Sequence, residues 1–150
     1  MKIPPEVKEF IENQAIFVVG SIGTSKFANV SPRVFFYITD NEIYWLDFFK
    51  HKSYRNFKIN PWVTISVFDK EKLKGYQIRG KVSFLTNDTE KSKIRETIVT
   101  RTLKVYNSEK INQLSRKEAE LILFEPKMIY SLVPEEFSDL SIASETDASK

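Results

Sequence analysis

Three stretches of alternation constrain this chain more than anything else in it. Between Val30 and Ile38 the set Val30, Pro32, Val34, Phe36 and Ile38 interleaves with Ser31, Arg33, Phe35 and Tyr37. From Trp62 to Phe68, Val63, Ile65 and Val67 alternate with Trp62, Thr64, Ser66 and Phe68. In Tyr76 to Leu85, Tyr76, Ile78, Val82 and Phe84 alternate with Gln77, Arg79, Lys81 and Ser83. A period of two is the pitch of a β-strand, so each stretch reads as one strand with a face for a core and a second, amphipathic face. Gln77 and Arg79 share one such outward face.

Shorter signals fill in the rest. Ala15 to Val19 is an apolar run closed by Gly20-Ser21-Ile22-Gly23, and Glu42 to Phe48 follows the Asp40-Asn41 turn, so both read as strands. Lys127 to Val133 reads as a last one, which makes six strands. Ile3, Val7, Phe10 and Ile11 have helical spacing behind Pro4 and Pro5. His51 to Phe57 reads as a short helix stopped by Asn60-Pro61. Asn87 with Glu90, and Ser115 with Glu118, have the spacing of helix-opening caps, the second predicting a helix over Ala119 to Phe124. Few short helices and hairpin-linked strands predict a mainly β fold, an antiparallel barrel closed or nearly closed, which hides the edges that such a sheet exposes.

With 150 residues, 41% of them apolar, the chain suits one domain that buries roughly two thirds of its unfolded surface. That domain is expected over residues 1–137, and the Ser- and acid-rich stretch from Ser138 to Lys150 is expected to be disordered. No Cys leaves no disulfide, no thiolate nucleophile and no Cys-ligated metal, and a single His is too little for a His-rich metal site. The N-terminus has no apolar signal core and no stretch is long enough to span a membrane, so a soluble, cytoplasmic protein is expected. Charge is uneven: residues 48–81 carry nine Lys or Arg against Asp69 and Glu71, a balance of +7 that leaves −4 for the rest of a chain with net charge +3. One basic segment in an otherwise acidic chain favours a single small anion over a long polyanion. The plainer reading of those lysines is a solvated face.

No nucleophile stands beside a base, and the glycine pairs Gly20 with Gly23 and Gly75 with Gly80 match neither a P-loop nor a dinucleotide fingerprint. His51-Lys52-Ser53 opens a predicted helix, where free N–H groups, a Lys and a hydroxyl together suit a phosphate. Equally, Ser53 could simply cap that helix. Arg33, on the amphipathic face of the Val30–Ile38 stretch, has the planar fork that matches phosphate oxygens. Phe35, Trp45 and Gln77 could form walls and an amide edge for a flat heterocycle, though both aromatics also suit a core and Gln77 suits solvent.

Val30-Ser31-Pro32-Arg33-Val34-Phe35-Phe36, then His51-Lys52-Ser53-x-x-Asn56 with Asn60-Pro61, then Gly75-Tyr76-Gln77-Ile78-Arg79-Gly80, resembles the FMN-binding split β-barrel family over about residues 3–133. That family includes pyridoxamine 5′-phosphate oxidase and small FMN-binding proteins. The resemblance implies a six-stranded split barrel, a homodimer, and FMN in a groove at the subunit interface. It implies that Arg33, Val34 and Phe35 line the cofactor, with Arg33 toward its phosphate. Trp45 and Leu46 would border it, His51, Lys52 and Ser53 would form the phosphate-binding turn, and Gln77 would contact the flavin.

Two departures shape the functional expectation. The oxidase ends in a segment rich in Arg and His, whereas Leu132-Val133-Pro134-Glu135-Glu136-Phe137 and the stretch after it have neither. A true pyridoxamine 5′-phosphate oxidase is therefore not expected. The insertion over residues 87–124 is also longer than in the smallest members. The expected function is an FMN-dependent oxidoreductase of this family with an unassigned substrate, the flavin supplying the redox chemistry. The alternative is a non-catalytic small barrel that holds single-stranded nucleic acid, or another cofactor such as a deazaflavin or haem.

Overall fold

The computed structural model describes residues 1–50 and 52–133. It opens on α1 (Pro5–Gln14), a helix with Pro at its first turn that buries Val7 and Ile11 beside Ile3. Ala15 ends it in the left-handed conformation, φ 59°, with its N–H on the Ile11 carbonyl. The first strand therefore begins later than the apolar run predicts: β1 is Phe17–Ser21.

The stretch predicted as one strand over Val30–Ile38 is two, β2 (Asn29–Arg33) and β3 (Phe36–Ile38). β2 pairs with β1, whereas β3 pairs with β4 (Ile43–Asp47). The link through Val34 and Phe35 also breaks the alternation. Phe35 and Phe36 are both buried, and only Phe36 and Ile38 of the predicted core set face inward, while Val30 is 65% exposed. In β2 the polar set Asn29, Ser31 and Arg33 takes the inward phase opposite Ser21, Val19 and Phe17. A two-residue irregularity thus reverses which face of the strand is wet, the same consequence as a register slip.

After α2 (Lys52–Ile59) come β5 (Trp62–Asp69) and β6 (Lys74–Phe84), as predicted. α3 (Asp88–Val105) starts where Asn87 Oδ1 accepts the Glu90 N–H at 3.0 Å. The predicted second cap is displaced. Ser108 caps α4 (Glu109–Leu114), Ser115 ends it, and the expected helix over Ala119–Phe124 is instead the first half of β7 (Glu120–Ser131). Leu121, Ile122 and Phe124 are buried on both faces of that strand, between β4 and β6, so the sheet outweighs the local cap signal.

The seven strands form one antiparallel sheet in the order β2-β1-β5-β6-β7-β4-β3. Its two edge strands are consecutive in the chain, so the sheet must curl until its edges meet. Covalent continuity, and not a hydrogen-bonded ladder, joins them. This is a split barrel, and counting β2 and β3 as one strand recovers the predicted six. The main core holds Phe17, Ile65, Ile78, Trp45 and Phe124, while a second cluster of Phe35, Leu46, Ile98 and Leu121 glues α3 to β3 and β4. No described helix is long and apolar enough to cross a membrane.

Candidate functional site

A cleft of about 550 Å³ opens where the β2–β3 link, the end of β4 and the start of α2 converge. Its polar side is a connected chain of hydrogen bonds. Ser53, buried at the start of α2, accepts from Asn29 Nδ2 at 2.6 Å and shares a hydrogen bond with Ser31 Oγ at 3.0 Å. Arg33 donates from Nη1 to Ser31 Oγ at 2.8 Å and from Nε to Asp47 Oδ1 at 2.7 Å. Lys52 and Arg55 add two further cations to the lining. Across from them Val34, Phe35, Leu46, Phe48 and Leu114 supply an apolar wall.

The local sequence explains the convergence. The phase reversal in β2 sends its polar residues inward, next to a helix whose first turn presents unpaired N–H groups. The Arg33–Asp47 pair is nearly dry, with side-chain exposures of 12% and 3%. Burial pushes the Asp47 carboxyl above its ordinary range, and the Arg33 charge and hydrogen bond offset only part of that. Asp47 Oδ2 and the neighbouring Trp45 Nε1 are buried without a hydrogen-bond partner, although the indole N–H is close enough to pull the carboxyl downward. The pair therefore costs desolvation free energy to hold Arg33 in one orientation. Such a site can bind a phosphate monoester at its cationic end and a planar apolar body along its wall.

Of the residues the sequence points to, Arg33, Val34, Phe35, Leu46, Lys52 and Ser53 lie around this one cleft. Trp45 does not: it is fully buried against Phe17, Phe57 and Phe124. Gln77 does not line the cleft either. It sits on β6 between Ser66 and Tyr130, its amide oxygen placed to accept from Arg79 at 3.2 Å. His51 lies outside the described residues. Sequence reasoning passed over Asp47, Ser31 and Asn29. Asp47 had one available signal, an acid set in the apolar run Ile43–Phe49.

Residues 3–131 match the family model described as pyridoxamine 5′-phosphate oxidase. The chain belongs to that family. The same fold is found in solved structures. The oxidase-family fold here is similar to HupZ from Group A Streptococcus, 17% identical over 87% of this chain and 94% of that one, with a TM-score of 0.67. It is similar to HutZ, the heme storage protein from Vibrio cholerae, at 19% identity over 87% and 94% with TM-score 0.64. It is similar to an FMN-binding protein from Syntrophomonas wolfei at 13% identity over 85% and 84% with TM-score 0.66. No curated protein sequence matches the chain.

Proposed function

We propose that this member of the oxidase family binds FMN in the cleft between β2, β4 and α2 and works as a flavin-dependent oxidoreductase in the cytoplasm. The observation that carries the reading is the cluster of Arg33, Lys52, Ser31 and Ser53 at the start of α2, facing an apolar wall in the same cleft. Those residues fit a phosphate-bearing flat ligand. Arg33, Lys52 and Ser53 would hold the phosphate, and Val34, Phe35 and Leu46 would lie along the ring. Bound flavin supplies hydride and single-electron chemistry. Asp47 keeps the Arg33 guanidinium oriented toward the ligand, and Phe48 and Leu114 keep water from the apolar wall.

Gln77 joins this site through a second copy of the chain. It is on the outer face of β6, away from its own cleft, so a homodimer with the cofactor at the interface is part of the proposal. Pyridoxamine 5′-phosphate is not the proposed substrate, because the segment Leu132-Val133-Pro134-Glu135-Glu136-Phe137 carries no Arg or His.

Purified protein should take up FMN and show a flavin spectrum, with riboflavin held more weakly for want of the phosphate. Lys52→Ala should weaken FMN about tenfold, or ~1.4 kcal/mol, and leave riboflavin within about twofold. Equal losses for the two ligands would remove the phosphate assignment. A haem Soret band or a deazaflavin spectrum in the copurified protein would replace FMN by that cofactor, the heme-storage neighbour being the reason to test for the first.

A further inference from the structure

A second cavity, of about 300 Å³, adjoins the cleft just described. Val34 is the one residue that lines both. Ala15, Phe36 and Val105 continue its apolar wall, and Arg101 and Lys104, one turn apart on α3, bring two cations to it. Glu12 is the single carboxylate in the lining and pairs with Arg101 at 2.8 Å. Arg101 also lies over the Tyr37 ring, 5.6 Å from its centroid. Lys104 forms no ion pair among the described residues, which leaves a surplus of one positive charge.

The walls are held in place. The Tyr106 hydroxyl donates to the Ala15 carbonyl at 2.7 Å, which ties the end of α3 to the end of α1. The Thr102 hydroxyl bonds back to Ile98 O within α3 at 2.8 Å and lies 3.4 Å from the Val34 carbonyl. The volume is at the small end of the range for ligand pockets, about 300–1,000 Å³.

We propose that this cavity is a ligand site of its own, for a small monoanion with an apolar body such as an aryl- or alkyl-carboxylate, its charge met by Lys104 and Arg101 and its body by Val34, Phe36 and Val105. The surplus positive charge sets the sign of the ligand, and the apolar walls set its body. Glu12 sets a limit, because it competes for Arg101 and repels the incoming anion. The site does not rest on the FMN reading, although its occupant would also touch Val34.

The test is an amide NMR titration of the full chain with 3-phenylpropionate, 3-phenylpropan-1-ol and 3-phenylpropylammonium. The expected result is shifts centred on Ala15, Val34 and residues 102–106, with the acid bound tightest and the ammonium weakest. Lys104→Gln, an exposed change that leaves the fold alone, should weaken the acid about fivefold and spare the alcohol. Glu12→Gln should tighten the acid, and Val105→Trp should block both acid and alcohol by filling the space. Shifts confined to the cofactor cleft, equal binding of acid and ammonium, or an unchanged acid affinity in Lys104→Gln would each overturn the proposal.

Discussion

Arg33 and Asp47 show how a cation can be held in place ahead of a ligand. A guanidinium on a flexible stem loses rotamer entropy when a ligand fixes it, about 0.5–1.5 kcal/mol, and here Asp47 and Ser31 have already fixed it. Replacing Asp47 by Asn should therefore weaken FMN about fivefold by releasing Arg33, with riboflavin little changed; isothermal titration of both ligands checks this. Stability should move the other way. The folded-state pKa of Asp47 is raised, so the folded protein holds this proton more tightly than the unfolded chain does. Stability attributable to Asp47 is then greatest below the ordinary carboxylate value and falls as pH rises toward the raised folded value. Wild type and Asp47→Asn should be alike in urea melts near pH 3, and the variant should be equal or more stable near pH 7. A variant clearly less stable at neutral pH would mean that the ion pair outweighs its desolvation.

At the level of elements, β5, β6, α1 and α3 were legible because their signals are local and agree with their surroundings. Alternation placed Ile65 and Ile78 inward, and Asn87 caps α3 as its spacing suggests. Asn87→Ala should cost about 1 kcal/mol in denaturant melts and leave FMN affinity unchanged, since no site residue moves. Two elements were not legible. The β2–β3 break comes from the need to carry one chain from one edge of the curled sheet to the other, a demand set by partners remote in sequence. The first half of β7 has a helix-like cap signal, yet both faces of Leu121–Phe124 are buried by pairing with β4 and β6. The candidate site inherits this division. Arg33, Lys52 and Ser53 stand out as cations and a hydroxyl in the right segments, but the exclusion of Trp45 from the cleft depends on packing against Phe17 and Phe124. Gly80 marks another nonlocal constraint: the β6–β7 register shifts there, and a Cβ would meet the Glu125 carbonyl and the Phe124 ring. Gly80→Ala should destabilise the protein by about 1–3 kcal/mol, read from the denaturant midpoint, through overpacking.

Across the whole molecule, the basic segment does not remain one patch once folded. Lys52 and Arg55 line the cleft. Lys58 lies over Tyr54 and Lys81 over Trp62, while Arg79 sits on the Tyr130 ring. Lys70 and Lys72 belong to the turn between β5 and β6, and Lys74 is the first residue of β6. A polyanion would have to bend around several faces to collect these charges, whereas one phosphate needs only the two or three at the start of α2. The two cases differ in salt dependence, because each neutralised backbone charge of a nucleic acid adds about one unit to the slope of log affinity against log salt. FMN affinity should fall with a slope of about two or less between 50 and 500 mM salt, as expected for one dianion. A 20-mer of single-stranded DNA should show no saturable binding at micromolar protein at about 150 mM salt. Tight oligonucleotide binding with a slope of five or more, in protein that leaves FMN in solution, would move the function to the nucleic-acid module and leave the cleft as a pocket between strands.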